Sequence, residues 1–227
     1  MSARHAAGAA AAAIGGLLLI GGPVIASTVE VQIHLPVPQK IDVTGMRRLL
    51  VGGFRVNDDP SLDIDVEYRK TLEDLLKRRT TFEVLEVDPP PLPEQELNEV
   101  VKNTSYWRRI AQRFAADLIV AGAVKFERTD KSGFVSEDVI NPLNGQRIRR
   151  TRYTEREGFD LAVTLYFFGG ATGDLLYEQR LTEEAIYEGR GNDGLTALHQ
   201  LADRSSGDVI GVLMPREKVE TRHLIVE

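Results

Sequence analysis

One cluster of side chains in this sequence has the chemistry of an anion-binding surface. Five arginines and a tyrosine lie within the segment 147–156, in a chain whose formal net charge is −6. They are Arg147, Arg149, Arg150, Arg152, Tyr153 and Arg156. A guanidinium group binds carboxylates and phosphates through paired hydrogen bonds. The cluster therefore predicts a surface that binds an acidic protein, an anionic polymer or a lipid headgroup.

The spacing within this cluster decides which arginines share a surface. In an extended strand, successive side chains alternate between the two faces. The even-numbered arginines of the cluster then lie on one face and the odd-numbered arginines on the other. The alternative interpretation is a solvated strand whose arginines form surface ion pairs with Glu155 and Glu157.

Histidine, the usual general base, occurs four times but without a recognisable catalytic partner nearby in the sequence. The histidines are His5, His34, His199 and His223. The chain has no cysteine, which excludes thiolate nucleophiles, disulfides and zinc–cysteine sites. It also has no Gly-x-Ser-x-Gly or His-Glu-x-x-His motif. The alternative function is an exported hydrolase whose site assembles in space from Asp58, Asp59, His199 or His223.

An aspartate-rich segment offers a second place where an ion could bind. The sequence DDPSLDID contains Asp58, Asp59, Asp63 and Asp65. Carboxylates at short spacing can hold calcium, but this spacing is not that of a calcium-binding loop. We therefore predict a turn followed by the acidic first residues of a helix.

The glycine-rich segment Gly189–Gly194 (GRGNDG) precedes a predicted helix, where backbone N–H groups can bind phosphate. It lacks the lysine and the serine or threonine of a P-loop. Asn192 and Asp193 are instead predicted to cap the helix. The sequence thus predicts no cofactor and no resident metal.

The amino terminus is typical of an export signal. A single arginine precedes the apolar stretch Ala6–Ala26, and Gly21, Gly22 and Pro23 interrupt it close to its end. Small residues before Ser27 suit a signal peptidase that cuts after Ala26. The alternative is a retained membrane anchor, because the stretch is long enough to span a bilayer. Either interpretation places the remaining chain outside the cytoplasm.

The remaining chain has the pattern of an α/β (α+β) protein with a mixed parallel and antiparallel sheet and packed helices. The predicted order is β-α-β-α-β, then antiparallel hairpins, then a helix and a strand. Helices are predicted at Asp63–Arg79, Ser105–Ala116 and Leu195–Leu213, and strands at Arg47–Phe54, Phe82–Val87, Asp117–Arg128, Phe159–Phe168, Leu175–Tyr187 and Lys218–Val226. The segment Arg147–Glu157 alternates without large apolar residues, so it is predicted to project or to cover a sheet edge.

Composition agrees with one globular domain and excludes a general nucleic-acid binder. Hydrophobic residues make up 42% of the chain and charged residues 27%, with 28 basic and 34 acidic side chains. We expect residues 1–26 to be a signal peptide, residues 27–46 an extended arm and residues 47–227 a single domain.

Several segments together resemble the superfamily shared by the amino-terminal domain of TolB, the curli-secretion protein CsgG and the penicillin-binding-protein activator LpoB. They are the strand Leu49–Phe54, the helix that precedes Phe82–Val87, the segment Ala115–Val124 (AADLIVAGAV), the Thr172-Gly173-Asp174 turn and the final helix. The resemblance implies a domain in which Gly122 permits close backbone approach and Gly173 supplies a positive φ. These are features of a fold rather than of an active site.

The resemblance implies a non-enzymatic cell-envelope protein that binds or assembles with a partner. That partner is expected to be an envelope protein or an anionic envelope polymer, and a homo-oligomer is a second expectation because some relatives form rings. Membrane contact is expected only through an uncleaved amino-terminal segment. Two departures matter. There is no cysteine to acylate, and the one loop comparable to CsgG's membrane hairpins, Arg128–Glu157, has few outward apolar residues. Pore formation is therefore not expected.

Overall fold

The computed structural model describes residues 27–56, 63–140 and 142–226 and confirms the predicted α/β class. The described residues form two compact units. Among the described residues, one unit comprises residues 27–35 and 219–226, and the other lies within residues 36–218. The strands are β1 (Ser27–Val37), β2 (Arg48–Val56), β3 (Glu83–Val84), β4 (Leu118–Asp130), β5 (Gly133–Ile140), β6 (Arg147–Thr154), β7 (Arg156–Gly169), β8 (Leu175–Glu188) and β9 (Arg216–Val226). The helices are α1 (Ile64–Arg79), α2 (Leu97–Lys102), α3 (Thr104–Phe114), α4 (Gly194–Arg204) and α5 (Ser206–Leu213).

The larger unit is built on a five-stranded mixed sheet with the order β3-β2-β4-β7-β8. The strand β2 runs parallel to both β3 and β4, whereas β4, β7 and β8 are antiparallel to their neighbours. This is the predicted combination of early parallel pairing, through crossover helices, and later hairpins. The central strands are apolar on both faces, as expected for a sheet covered on two sides.

Helices cover both faces of this sheet. Alternate residues of β4 separate into two cores: Leu118 and Val120 pack with residues of α1, α4 and α5, and Ile119 packs with residues of α2 and α3. In the second core the Trp107 ring stacks on Phe168 with a centroid distance of 3.9 Å. The indole N–H of Trp107 donates to the carbonyl of Val100 at 2.8 Å, which satisfies its only polar atom.

Most predicted elements are present, but two differ in extent and two further elements were not predicted. The predicted strand Phe82–Val87 is reduced to β3 (Glu83–Val84), although the N–H of Leu85 still donates to the carbonyl of Leu49 on β2 at 2.9 Å. The predicted helix Leu195–Leu213 is divided into α4 and α5 at Ser205, whose hydroxyl donates to the carbonyl of Ala202. The helix α2 and the strand β5 were not predicted at all.

Both glycines that carry the family resemblance have the predicted geometry. A Cβ at Gly122 would lie 1.9 Å from the carbonyl oxygen of Thr164 on the neighbouring strand β7. Gly173 has a φ of +79° in the turn between β7 and β8. The turn and the close approach of β4 to β7 therefore both depend on glycine.

The smaller unit is a two-stranded sheet of β1 and β9. On β1, Val29 is exposed, whereas Val31, Ile33 and Leu35 are half-buried and alternate with exposed residues. No helix in the described part of the chain is both long and apolar enough to cross a membrane. The predicted signal peptide lies outside the described residues.

Candidate functional site

The arginine cluster lies on a two-stranded antiparallel hairpin formed by β5 and β6, here called the ribbon. Its register runs from the pair Gly133–Thr154 to the pair Ile140–Arg147. The turn is closed by Gly145 at φ +69° and by the Asn144 side chain, which accepts the N–H of Gln146. Apart from each other, β5 and β6 make no extensive contact with another element of the described chain.

Four of the five predicted arginines and the tyrosine belong to β6. The pairing register places Arg147, Arg149 and Tyr153 on one face of the ribbon and Arg150 and Arg152 on the other, as the alternation predicts. All five side chains are exposed. The ribbon therefore presents positive charge on both of its faces.

Arg156, the remaining predicted residue, is separated from this group. It begins β7, where it pairs with Glu188 in the five-stranded sheet, and it is half-buried. Its backbone N–H donates to the hydroxyl of Ser132 at 3.0 Å, and its carbonyl accepts the N–H of Lys131 at 3.0 Å. Arg156 thus lies at the root of the ribbon rather than on it.

The alternative interpretation, a solvated strand with surface ion pairs, named the wrong partners in Glu155 and Glu157. Arg149 pairs instead with Asp138 at 3.6 Å and Arg152 with Glu137 at 3.5 Å, both across the strand pair from β6 to β5. Cross-strand neighbours lie closer than residues two or more positions along an extended strand, so β5 supplies the counter-charges. Sequence reasoning missed this because it did not identify β5.

The expectation of few outward apolar residues is also wrong. Five large apolar side chains of the ribbon are exposed: Phe134, Ile140, Leu143, Ile148 and Tyr153. Phe134 is 79% exposed and packs edge-on against Tyr153 across the two strands, with a centroid distance of 5.4 Å. The sequence did contain a signal, because GFVSEDVI lies between a Lys-Ser-Gly turn and the NPLNG turn.

The root of the ribbon is held by Glu157. Its carboxylate contacts Arg128 on β4 at 2.6 Å and accepts both the backbone N–H and the side-chain N–H of Asn192, at 2.9 and 3.0 Å. These hydrogen bonds, led by the Asn192 backbone N–H, lower the pKa of Glu157 to about 2. Asn192 is therefore tied to the ribbon root, whereas Asp193 caps α4 as predicted, accepting from Leu195 and Thr196.

The histidines proposed for a hydrolase site do not form a nucleophile–base pair. His199 Nδ1 lies 2.9 Å from the Thr71 hydroxyl, beside a cleft of about 420 Å³ between α1 and α4. The Thr71 hydroxyl already donates its proton to the carbonyl of Glu67 at 2.8 Å, so it can only accept from His199. A histidine that donates to a hydroxyl cannot remove the hydroxyl proton. His223 is exposed on β9.

The aspartates proposed for calcium have structural contacts instead. Asp63 caps α1 by accepting the N–H of Val66, and Asp65 accepts the N–H of Phe54 at 2.7 Å. Asp58 and Asp59 lie outside the described residues. In the described ranges no group of three or more histidine, aspartate or glutamate side chains is placed to hold a metal ion.

No protein-family model and no curated protein matches the chain. Among solved structures, the chain is similar to a PelC dodecamer from Paraburkholderia phytofirmans, at 13% identity and a TM-score of 0.41, over 83% of this chain and 99% of that one. It is similar to the LpoB C-terminal domain from Salmonella enterica, at 14% identity and a TM-score of 0.35, over 60% and 81%. It is also similar to lipoprotein GNA1162 from Neisseria meningitidis, at 11% identity and a TM-score of 0.38, over 72% and 97%. The LpoB domain, whose superfamily the sequence resembles, is thus among the solved structures that are similar to this chain.

Proposed function

We propose that this chain is an exported, non-enzymatic cell-envelope protein that serves as a binding or assembly module. The ribbon is its docking element, and its partner is an envelope protein or an anionic envelope polymer. The observation that supports this proposal is the combination, on one hairpin, of a strand with four exposed arginines and five exposed large apolar side chains. Phe134 and Tyr153 contact each other on one face of the ribbon, and aromatic residues and arginine are enriched in protein interfaces.

The chemistry of the ribbon suits recognition better than catalysis. Arginines and aromatic rings are the side chains that contribute most binding energy in protein interfaces. No histidine lies within the ribbon, and its two carboxylates, Glu137 and Asp138, lie on opposite faces, where each pairs with an arginine. The Thr71–His199 contact does not support hydrolysis, because the Thr71 hydroxyl already donates its proton to the carbonyl of Glu67.

Retention by isolated cell envelopes tests this proposal. Arg149, Arg150 and Arg152 are replaced together by threonine, which keeps a high strand propensity and avoids placing like charges opposite Glu137. The expected result is loss of retention with unchanged melting temperature. The matched control replaces Arg108 and Arg109, two exposed arginines of α3, by threonine and should leave retention unchanged. Equal retention of the ribbon variant and the natural protein would contradict the proposal.

Export and anchoring have their own test. Sequencing the amino terminus of the protein recovered from envelope fractions distinguishes a cleaved signal from an anchor. A start at Ser27 supports cleavage after Ala26, whereas a start at Met1 or Ser2 supports anchoring through residues 6–26. Recovery of the whole protein in the cytoplasm would contradict export.

A further inference from the structure

In the described part of the larger unit, four strands have an edge that no other strand covers: β3, β5, β6 and β8. Of these, β8 and β6 differ in whether side chains contact that edge. The outer edge of β8 is protected by side chains. The carbonyl of Arg180 accepts the side chain of Gln179 at 2.9 Å, and the carbonyl of Glu184 accepts Arg204 of α4 at 2.9 Å. Capping of edge groups is one way in which proteins prevent further strand pairing.

The outer edge of β6 has no such protection. In an antiparallel pair, the backbone groups of alternate residues point away from the partner strand. On β6 these groups make no hydrogen bond with any side chain or strand in the described part of the larger unit. A two-stranded hairpin is only marginally stable in water, and a third strand adds the pairing that it lacks.

The charges of the ribbon indicate what a third strand would carry. β6 contains four arginines and no acidic residue, whereas β5 contains Glu137 and Asp138 and no basic residue. Those two carboxylates pair with Arg152 and Arg149. Arg147 and Arg150 form no ion pair among the residues that the structure describes, so an acidic strand on the other side of β6 would complete the charge balance.

The same distribution argues against a lipid surface as the occupant. A planar membrane surface meets one face of a ribbon or its turn, whereas the arginines lie on both faces. Arg147 pairs with Ile140 directly beside the turn, so insertion of the apolar turn would carry this charge into the bilayer. A strand added along β6 instead lies beside every side chain of β6, on both faces of the ribbon.

We propose that the outer edge of β6 binds an acidic, extended segment of a partner protein as a third strand. Backbone hydrogen bonds to the free edge would supply affinity, and the arginines would select for glutamate or aspartate. Ile148 and Tyr153 would favour apolar residues between those acids. This inference rests on the proposed function, since it names the partner class of the same ribbon.

A labelled peptide of the same length as β6 tests the inference by fluorescence anisotropy with the full chain. In it, two adjacent glutamates alternate with two valines, so that an extended peptide carries acids on both faces and can meet Arg147 and Arg150 at once. We expect saturable binding that weakens as salt is added, and no binding of the matched peptide with lysine in place of glutamate. Replacing Arg147 and Arg150 by threonine should weaken binding about tenfold, because two exposed ion pairs are lost. The Arg108 and Arg109 variant serves as the control. Equal binding of the two peptides would overturn the inference.

Backbone pairing is tested separately from charge attraction. Two further peptides carry N-methyl groups on alternate amides, one on the odd-numbered set and one on the even-numbered set. Because only one set faces β6 in a paired strand, we expect one peptide to lose binding and the other to retain it. Hydrogen exchange should slow at alternate β6 amides and remain unchanged in β5. Equal binding by both methylated peptides would show attraction without strand pairing and overturn the inference.

The envelope experiment separates this inference from the proposed function. If ribbon arginines are needed for retention but the acidic peptide does not bind, strand addition is wrong and docking through the ribbon stands. If the ribbon arginines are not needed for retention and the acidic peptide does not bind, both the proposed function and strand addition are wrong. Arginine-dependent binding to protein-free vesicles of anionic phospholipid, without peptide binding, would identify a membrane as the occupant and overturn the inference. So would arginine-dependent self-association of the full chain in place of peptide binding.

Discussion

Glu157 accepts the backbone N–H of Asn192 at 2.9 Å, although the two residues are 35 positions apart. The same carboxylate contacts Arg128 on β4. It therefore joins the strand pair that leads into the ribbon to the loop that precedes α4. Arg190, in that loop, adds ion pairs to Asp130 and Glu155 at 3.7 and 3.5 Å. The root of the ribbon is thus held by contacts with the loop that connects β8 to α4.

This contact predicts an acid-sensitive contribution to stability. The pKa of Glu157 is lowered from 4.5 to about 2 in the folded protein, so folding favours the charged form. The stabilisation is complete above the unfolded pKa and is lost as the pH falls from about 4.5 to about 2. Glu157→Gln should therefore lower the melting temperature at neutral pH, and the difference from the natural protein should shrink across that window.

Glu155→Gln is the matched control for this measurement. Glu155 is an exposed carboxylate two positions away with one ion pair to Arg190. Its replacement should change the melting temperature much less at neutral pH, since exposed pairs contribute little. Thermal unfolding followed by circular dichroism at several pH values gives both results. A Glu157→Gln difference that persists unchanged below the acid window would show that the lost contact is not electrostatic.

Gly122→Ala should destabilise the sheet strongly. The added Cβ would lie 1.9 Å from the Thr164 carbonyl oxygen, which is backbone and cannot rotate away. Strands β4 and β7 must separate locally, and overpacking of this kind costs about 1–3 kcal/mol or more. Gly53→Ala, in the neighbouring strand β2, is the control because its nearest atom would be 3.7 Å away. Urea unfolding of the two variants measures the difference, and equal midpoints would contradict the packing argument.

The sequence predicted elements where a single pattern dominates. Helices α1 and α3 have amphipathic spacing, and β4, β7 and β8 are apolar strands bounded by turn residues, so local signals were sufficient. The strand β5 was missed because its serine and two acids interrupt the apolar pattern. The positions of those acids follow from their ion pairs with arginines of β6, and these pairs cannot be predicted before β5 is recognised as a strand.

The candidate site shows the same limit. Sequence alone identified the arginine cluster and the alternation of its faces, because both follow from composition and strand geometry. It could not place Arg156 at the ribbon root, since that depends on where β6 ends and β7 begins. Nor could it find the Glu157–Asn192 contact, which joins residues from separate hairpins. Contacts of this type depend on tertiary pairing rather than on local sequence.

The exposed aromatic pair of the ribbon should contribute to docking but not to folding. Phe134 and Tyr153 contact each other on the surface and are not part of either buried core. Replacing both by serine should reduce envelope retention several-fold, while the midpoint of urea unfolding changes little. Leu175→Ser with Ile186→Ser removes two exposed apolar side chains from β8, 41% and 52% exposed, and is the control. Equal loss of retention in both double variants would indicate nonspecific adsorption.

Removal of the whole ribbon should leave a folded protein that no longer docks. The pairing of β4 with β7 extends as far as Asp130 and Glu157, and the Lys131 N–H still reaches the Arg156 carbonyl at 3.0 Å. Replacing residues 133–154 by Asn-Gly would therefore close the strands with a tight hairpin turn at their natural spacing. We expect a melting temperature close to that of the natural protein, because neither buried core contains a ribbon residue. Envelope retention should be lost, whereas retention of the shortened chain would place the docking surface elsewhere on the protein.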